Sequence, residues 1–165
     1  MNVEARLLSK NNFLLKIMEQ QMKKFSILLV ALLGFSAISA HASIANAKKL
    51  VLIYHTQAIA ENKEFAGPSA EEGKAFFNNK VKTANGKEVA CASCHTANPA
   101  NNGKNIETGK VIKPLSPVVN TKRFSDFDKV EAKFSQHCVD ILGMDCTAAQ
   151  KANYITYVLT EKTPT

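Results

Sequence analysis

The chain has 165 residues, 45% of them hydrophobic, with 21 Lys and Arg against 14 Asp and Glu, a formal net charge of +7. That length suits one domain. No basic run interleaved with aromatics accompanies the charge, so nucleic-acid binding finds no support, and scattered lysines suit solubility or docking to an acidic partner.

In chain order, Met22-Lys23-Lys24 precede an apolar run from Phe25 to Ile38 and then Ser39-Ala40-His41-Ala42. A basic start, a short apolar stretch and an Ala-x-Ala ending compose a secretory signal peptide over residues 22–42. A membrane anchor is the competing reading, but a span needs about 20 apolar residues and this run has fourteen. The expectation is export to the periplasm without stable membrane insertion. Cleavage after Ala42 or after Ala47 remains open, since Ala45-Asn46-Ala47 has the same small-x-small form. Residues 1–21 fit no region of a signal and read as a mis-assigned start ahead of the initiator Met22. The leader holds Arg6, Lys10, Lys16, Lys23 and Lys24 against Glu4 and Glu19, so residues 43–165, the expected domain, keep +4.

From Ile44 to Ala60 the recurrence of Ala47, Leu50, Val51, Tyr54 and Ala58 predicts a helix. Gly67-Pro68 breaks it, and Ser69-Ala70-Glu71-Glu72 reads as a capping box opening a second helix with Gly73, Phe76 and Phe77. Asn85-Gly86 predicts a turn. Thr96 to Arg123 is rich in Asn, Pro, Gly and Lys and lacks periodicity, an unusual length of irregular chain for a compact domain. Ser125-Asp126-Phe127-Asp128 and Thr147-Ala148-Ala149-Gln150 read as two further capping boxes. The first opens a helix with Phe127, Val130 and Phe134 on one face, the second a helix with Ala152, Ile155, Val158 and Leu159 inward. No strand pattern stands out, and the expected class is all-α.

The cysteines carry the chemistry. Cys91-Ala92-Ser93-Cys94-His95 is the Cys-x-x-Cys-His pattern of covalent haem attachment. Each thiol adds to one vinyl group, two intervening residues let both sulfurs reach one porphyrin edge, and the next residue brings an imidazole under the iron. A thioredoxin-like pair would need βαβ flanks, a zinc site a second ligand pair at spacing, and a Cys91–Cys94 disulfide a strained small ring. One covalent haem c is therefore expected, held by Cys91 and Cys94 with His95 as an iron ligand. It would also supply much of the core that a domain this small lacks. In an exported protein Cys138 and Cys146 are expected to bond to each other, contributing roughly 2–3 kcal/mol less any strain, with a redox-active disulfide as the alternative.

Gly73 and Phe77 resemble the first helix of class I cytochromes c, where a glycine lets that helix cross a C-terminal helix bearing an aromatic, here Tyr154 or Tyr157. A wider resemblance runs from about Ala47 to Leu159. Phe65-Ala66-Gly67, Cys91-Ala92-Ser93-Cys94-His95-Thr96, Thr108-Gly109-Lys110, Ile112-Lys113-Pro114-Leu115-Ser116-Pro117, Arg123-Phe124-Ser125-Asp126 and Leu142-Gly143 with Cys146-Thr147 look like the sphaeroides haem protein family. These are small monohaem cytochromes of bacterial periplasms, some of which bind oxygen or nitric oxide. The resemblance implies a class I cytochrome c-like helical fold wrapped around the haem and a disulfide beside it. It also implies a redox partner cytochrome, dihaem c-type or membrane b-type. The family places an asparagine as distal iron ligand directly before the first cysteine of that disulfide. Here the residue before Cys138 is His137.

Beyond residue 42 the remaining histidines are His55, His95 and His137, and the one methionine is Met144. Leu115, in the Pro-flanked stretch where many class I cytochromes place a ligating methionine, cannot bind iron. The positional match makes His137 the expected sixth ligand, with Met144 or a solvated His137 as alternatives. Paired histidines would lower the potential relative to a His/Met pair. Electron transfer is the expected function, with lysines steering the partner, Arg123 pairing a haem propionate, and no catalytic acid–base set. Binding of a diatomic gas, or weak oxidoreductase activity at a displaceable distal ligand, is the alternative.

Overall fold

A computed structural model describes residues 42–83 and 86–165, all within one compact unit. The expected mis-assigned start and all of the expected signal except Ala42 lie outside the described residues, as does Asn85 of the expected turn. No helix among the described residues is long and apolar enough to cross a membrane.

Among the described residues five helices carry the fold. The described part of α1 runs over 42–61; α2 is Ala70–Asn78, α3 Cys91–His95, α4 Phe127–Leu142 and α5 Ala148–Thr160. Two short antiparallel pairs, β1 (Val81–Lys82) with β2 (Glu88–Val89) and β3 (Gly103–Lys104) with β4 (Val111–Ile112), add strands that the sequence pattern does not signal. Each strand has two residues, too few for alternation to register.

Along α1, Ala47, Leu50, Tyr54 and Ala58 are buried at the helical repeat, as expected, and Ser43 joins the same face. Its hydroxyl donates to the Arg123 carbonyl, tying the start of the helix to the loop before α4. At the other end of α1, Glu61 accepts from the Ala148 amide, placing a carboxylate at the N-terminus of α5.

The caps follow the sequence with two instructive changes. Thr147 and Gln150 close the expected box on α5. At α2, Ser69 accepts from the Glu72 amide, but the return bond comes from elsewhere. Asn153 of α5 accepts from the Ser69 amide and donates to Glu72. At α4 the cap is Asp126, which accepts from the Lys129 amide, one residue later than the expected Ser125. Ser125 spends its hydroxyl on the Lys122 carbonyl instead.

Helices α2 and α5 cross at Gly73. A Cβ there would lie 2.0 Å from the Asn153 carbonyl oxygen and 2.9 Å from Tyr157 Cβ, so only glycine admits the approach. One turn on, Phe77 packs on both Tyr154 and Tyr157, with ring centres 6.1 and 5.6 Å away. Both candidate aromatics are used.

The stretch from Thr96 to Arg123 is ordered by its own polar side chains. Asn98 accepts from the Ala100 amide, and Asn105 from the amides of Glu107 and Thr108. Asn120 donates to the Pro114 carbonyl. The Pro99 carbonyl takes the amides of Leu115 and Ser116, which folds the segment back on itself. Its asparagines are turn-makers, which is why the stretch shows no helical or strand period.

Candidate haem site

Helix α3 is one turn long and places Cys91, Cys94 and His95 together. It stops after His95 because Thr96 takes φ 61° and ψ 167°, a backbone region nearly reserved for glycine and costing about 1–3 kcal/mol. Neighbours hold it there: the Thr96 hydroxyl donates to the Asn98 carbonyl, and Tyr157 donates to the Ala97 carbonyl. Gly103 lies against this turn, where a Cβ would meet the Cys94 carbonyl oxygen at 2.3 Å. Cys91 and Cys94 are not bonded to each other.

Facing α3 across a cavity of about 420 Å³ is α4. Val130, Phe134, His137, Cys138 and Ile141 recur along it at helical spacing and line the cavity; Phe76, Phe77, Leu115 and Tyr154 complete apolar walls. Cys91 and His95 border the same space, as do the cations Arg123 and Lys133. Cys138 is joined to Cys146 across the end of α4, with Cα atoms 5.6 Å apart, and Ser135 donates to Asp145 in the enclosed loop.

The rings of His95 and His137 face each other across this space. Their centres are 6.3 Å apart and their planes 28° from parallel. A metal–imidazole bond is about 2 Å and a ring centre lies about 1 Å behind its ligating nitrogen, so two imidazoles sharing one metal from opposite sides stand about 6 Å apart. His95 Nδ1 and Arg123 Nε are buried with no hydrogen-bond partner among the described residues. Burial, then the charges of His137 and Arg123, hold His95 at about 4 instead of 6.5. Burial, then Lys133 and Arg123 against the opposing Asp140, also lowers His137. Both shifts favour the neutral imidazole, the form that binds metal. Burial raises the Cys91 thiol.

Among the described residues no group of three or more His, Cys, Asp or Glu side chains is placed to hold a metal. Two histidines facing across an apolar-walled space suit a metal whose other positions a macrocycle fills. The chain's side chains therefore fit a haem.

The other sequence candidates fall elsewhere. Met144 is 67% exposed and does not border the cavity. His55 packs edge-on against Phe65, 5.9 Å between centres, on α1. Leu115 is buried in the cavity wall. Lys151 escapes the sequence reading: it is 9% exposed and sits on the inner face of α5. Its signal was there, a lysine at i, i+4, i+7 spacing with Ile155 and Val158.

Comparison with known proteins identifies the family. A family described as a domain of unknown function (DUF1924) matches residues 63–158. Cytochrome c'' of Methylophilus methylotrophus is 60% identical over 129 residues, covering 77% of this chain and 90% of that protein. The crystal structure of oxidized cytochrome c'' from that organism superposes with a TM-score of 0.71 over 74% of this chain and 99% of the other. Its solution structure, titled for insights into haem-ligand detachment, has a TM-score of 0.69, 60% identity and coverage of 74% and 98%. The cytochrome c-type protein SHP of Cereibacter sphaeroides is 33% identical over 104 residues, 62% of this chain and 80% of that protein. The structure of oxidized SHP, titled an oxygen binding cytochrome c, superposes with a TM-score of 0.60 at 29% identity over 69% and 96%. The chain belongs to the family of small, mainly helical monohaem c-type cytochromes that holds cytochrome c'' and SHP, and it binds one haem c covalently.

Proposed function

We propose that this protein is a periplasmic electron carrier whose haem is attached through Cys91 and Cys94, with His95 and His137 as the two axial iron ligands. The observation that carries the reading is the pair of facing imidazoles, 6.3 Å apart across the cavity. The haem supplies one-electron chemistry; the chain's task is to hold it, set its ligands and limit water. Both axial positions filled by imidazole favour ferric iron more than a thioether would, so the potential is low for a c-type cytochrome. Arg123, with its buried unpartnered Nε, and Lys133 offer cations to the propionates. The disulfide Cys138–Cys146 acts structurally, closing the end of α4 just beyond His137.

The hairpin β3–β4 bears Lys104 and is followed by Lys113, which borders the cavity along with Asn105 and Ile112. These lysines suit an acidic partner, and by family resemblance that partner is a dihaem c-type or membrane b-type cytochrome. Export rests on the leader over residues 22–42.

A second reading has a specific motive: one relative is titled an oxygen binding cytochrome c and another for haem-ligand detachment. In this reading His137 leaves the iron on reduction and a diatomic gas takes its place. Absorption spectra of ferric and ferrous protein, with carbon monoxide added to the latter, separate the two. Electron transfer alone predicts low-spin spectra in both states and little carbon monoxide binding. Rapid, complete binding would favour the gas reading. His137→Ala should turn the ferric spectrum high-spin and bind carbon monoxide at once; a low-spin, unchanged variant would remove His137 from the ligand set.

A further inference from the structure

Among the described residues Lys151 is the one charged side chain that is buried without a use at the haem. It is 9% exposed, on a helix face otherwise made by Ala148, Ala152, Ile155 and Val158. A lysine is rarely buried unless paired, and here its pairing joins three helices. Its ammonium is in ion-pair contact with one carboxylate oxygen of Glu131, on α4. The other oxygen accepts from the Tyr54 hydroxyl, on α1, at 2.5 Å. The same ammonium lies 5.5 Å from the centre of the Tyr54 ring and 5.8 Å from that of Phe134.

Phe134 then leads to the haem cavity. It lies between Glu131 and His137 on α4, meets Tyr54 and Tyr154 edge-on with centres 5.9 and 5.3 Å away, and lines the cavity wall. His137 lies six positions along the helix from Glu131, a rise of about 9 Å. On either side of His137 the helix is fastened again, by Ser135 donating to Asp145 just before it and by the disulfide at Cys138 just after it. The stretch carrying His137 is therefore held at two points, and the cavity lies between α4 and the helices behind it. The Glu131 point is the polar one, and Lys151 is its buried half.

We propose that Lys151 is a positioning residue: through Glu131 and Tyr54 it fixes the distance of α4 from α1 and α5, and so sets how firmly His137 stays on the iron. This rests on the reading of His137 as an axial ligand. A helix freed at Glu131 swings out more often, and the ligand-off population rises with it. A merely structural ion pair would lower stability without changing that population relative to the ligand-on form.

The test is cyanide capture by the ferric holoprotein, a reaction gated by loss of the sixth ligand, together with the low-spin fraction. Lys151→Met keeps the length and burial of the side chain and removes the charge. Glu131→Gln, at a position 51% exposed, removes the anion with little demand on packing. Each variant should take up cyanide about fivefold to tenfold faster than the parent while remaining helical. His137→Ala is run beside them and should be fastest. If His137→Ala is fast but both Lys151→Met and Glu131→Gln stay within about twofold of the parent, the positioning role is overturned and the ligand assignment stands. If His137→Ala does not differ from the parent, the ligand assignment fails and takes the positioning role with it.

Discussion

Glu131 shows how a single carboxylate can carry opposing demands. Burial works to raise it, yet bonds from Lys151 and Tyr54 prevail and hold it below its ordinary 4.5. A carboxyl depressed in the folded state adds stability that is complete above its unfolded value and is lost as pH falls through the folded one. The side chain is 51% exposed, so solvent screening keeps the contribution to about 1 kcal/mol or less. Urea midpoints of parent and Glu131→Gln should thus differ most above pH 4.5 and converge as the medium becomes more acid. Equal separation at every pH would mean that the carboxylate charge is not what Lys151 and Tyr54 recognise. Tyr54 is pushed above its ordinary range by burial, then by its bond to Glu131, so it remains a donor throughout. Asn153 makes a comparable point without charge, since one buried amide serves both Ser69 and Glu72 of a helix far away in sequence.

Among the elements, the crossing of α2 over α5 has the least room for change. Gly73 meets the Asn153 carbonyl so closely that Gly73→Ala must push the helices apart, at a cost of about 1–3 kcal/mol or more. Thermal unfolding of the holoprotein should show a clear drop in midpoint, and the contacts of Phe77 with Tyr154 and Tyr157 should loosen with it. An unchanged midpoint would mean that the helices part without loss. Helix α4 obeys a different logic. Its apolar side lines the cavity through Val130, Phe134 and Ile141, and of these Phe134 also meets Tyr54 and Tyr154, so its place depends on such ties and on what fills the cavity.

At the scale of the whole molecule the haem cavity separates α4 from the α2–α5 pair, and the chain closes around it through loops and staples. Joining Cys138 to Cys146 restrains a short loop at the far end of α4, which chain-entropy reasoning values at roughly 2–3 kcal/mol. Cys138→Ser with Cys146→Ser should lower the holoprotein's urea midpoint by a corresponding amount and leave the haem attached. Loss of the haem itself would show that the loop is needed for assembly and not only for stability. Cys91→Ala with Cys94→Ala is the complementary variant: exported, it should be colourless and less helical, because the cavity face of α4 then loses what fills it and only its ties through Glu131, Phe134 and the disulfide remain.

Much of this was legible in the residues. The Cys91-to-His95 motif sets its own chemistry because vinyl spacing demands it, and α1, α2 and α5 announce themselves through apolar repeats and caps that act within a few residues. Gly73 and Phe77 pointed to the helix crossing, since the absence of a side chain is itself a local instruction. Other features were decided only when distant parts met. Asn153 displaced Glu72 in the box because α5 arrived beside α2, whereas Asp126 replaced Ser125 as a cap for a local reason, the turn that gives the Ser125 hydroxyl to the Lys122 carbonyl. The two-residue strands lacked any period to read. The burial of Lys151, the facing of His95 and His137, and the distance of Met144 from the cavity depend on residues between 20 and about 100 positions apart. Periodicity and caps act through neighbours on the chain and are written in the sequence; a cavity wall is a relation among helices, and only packing fixes which side chains share it.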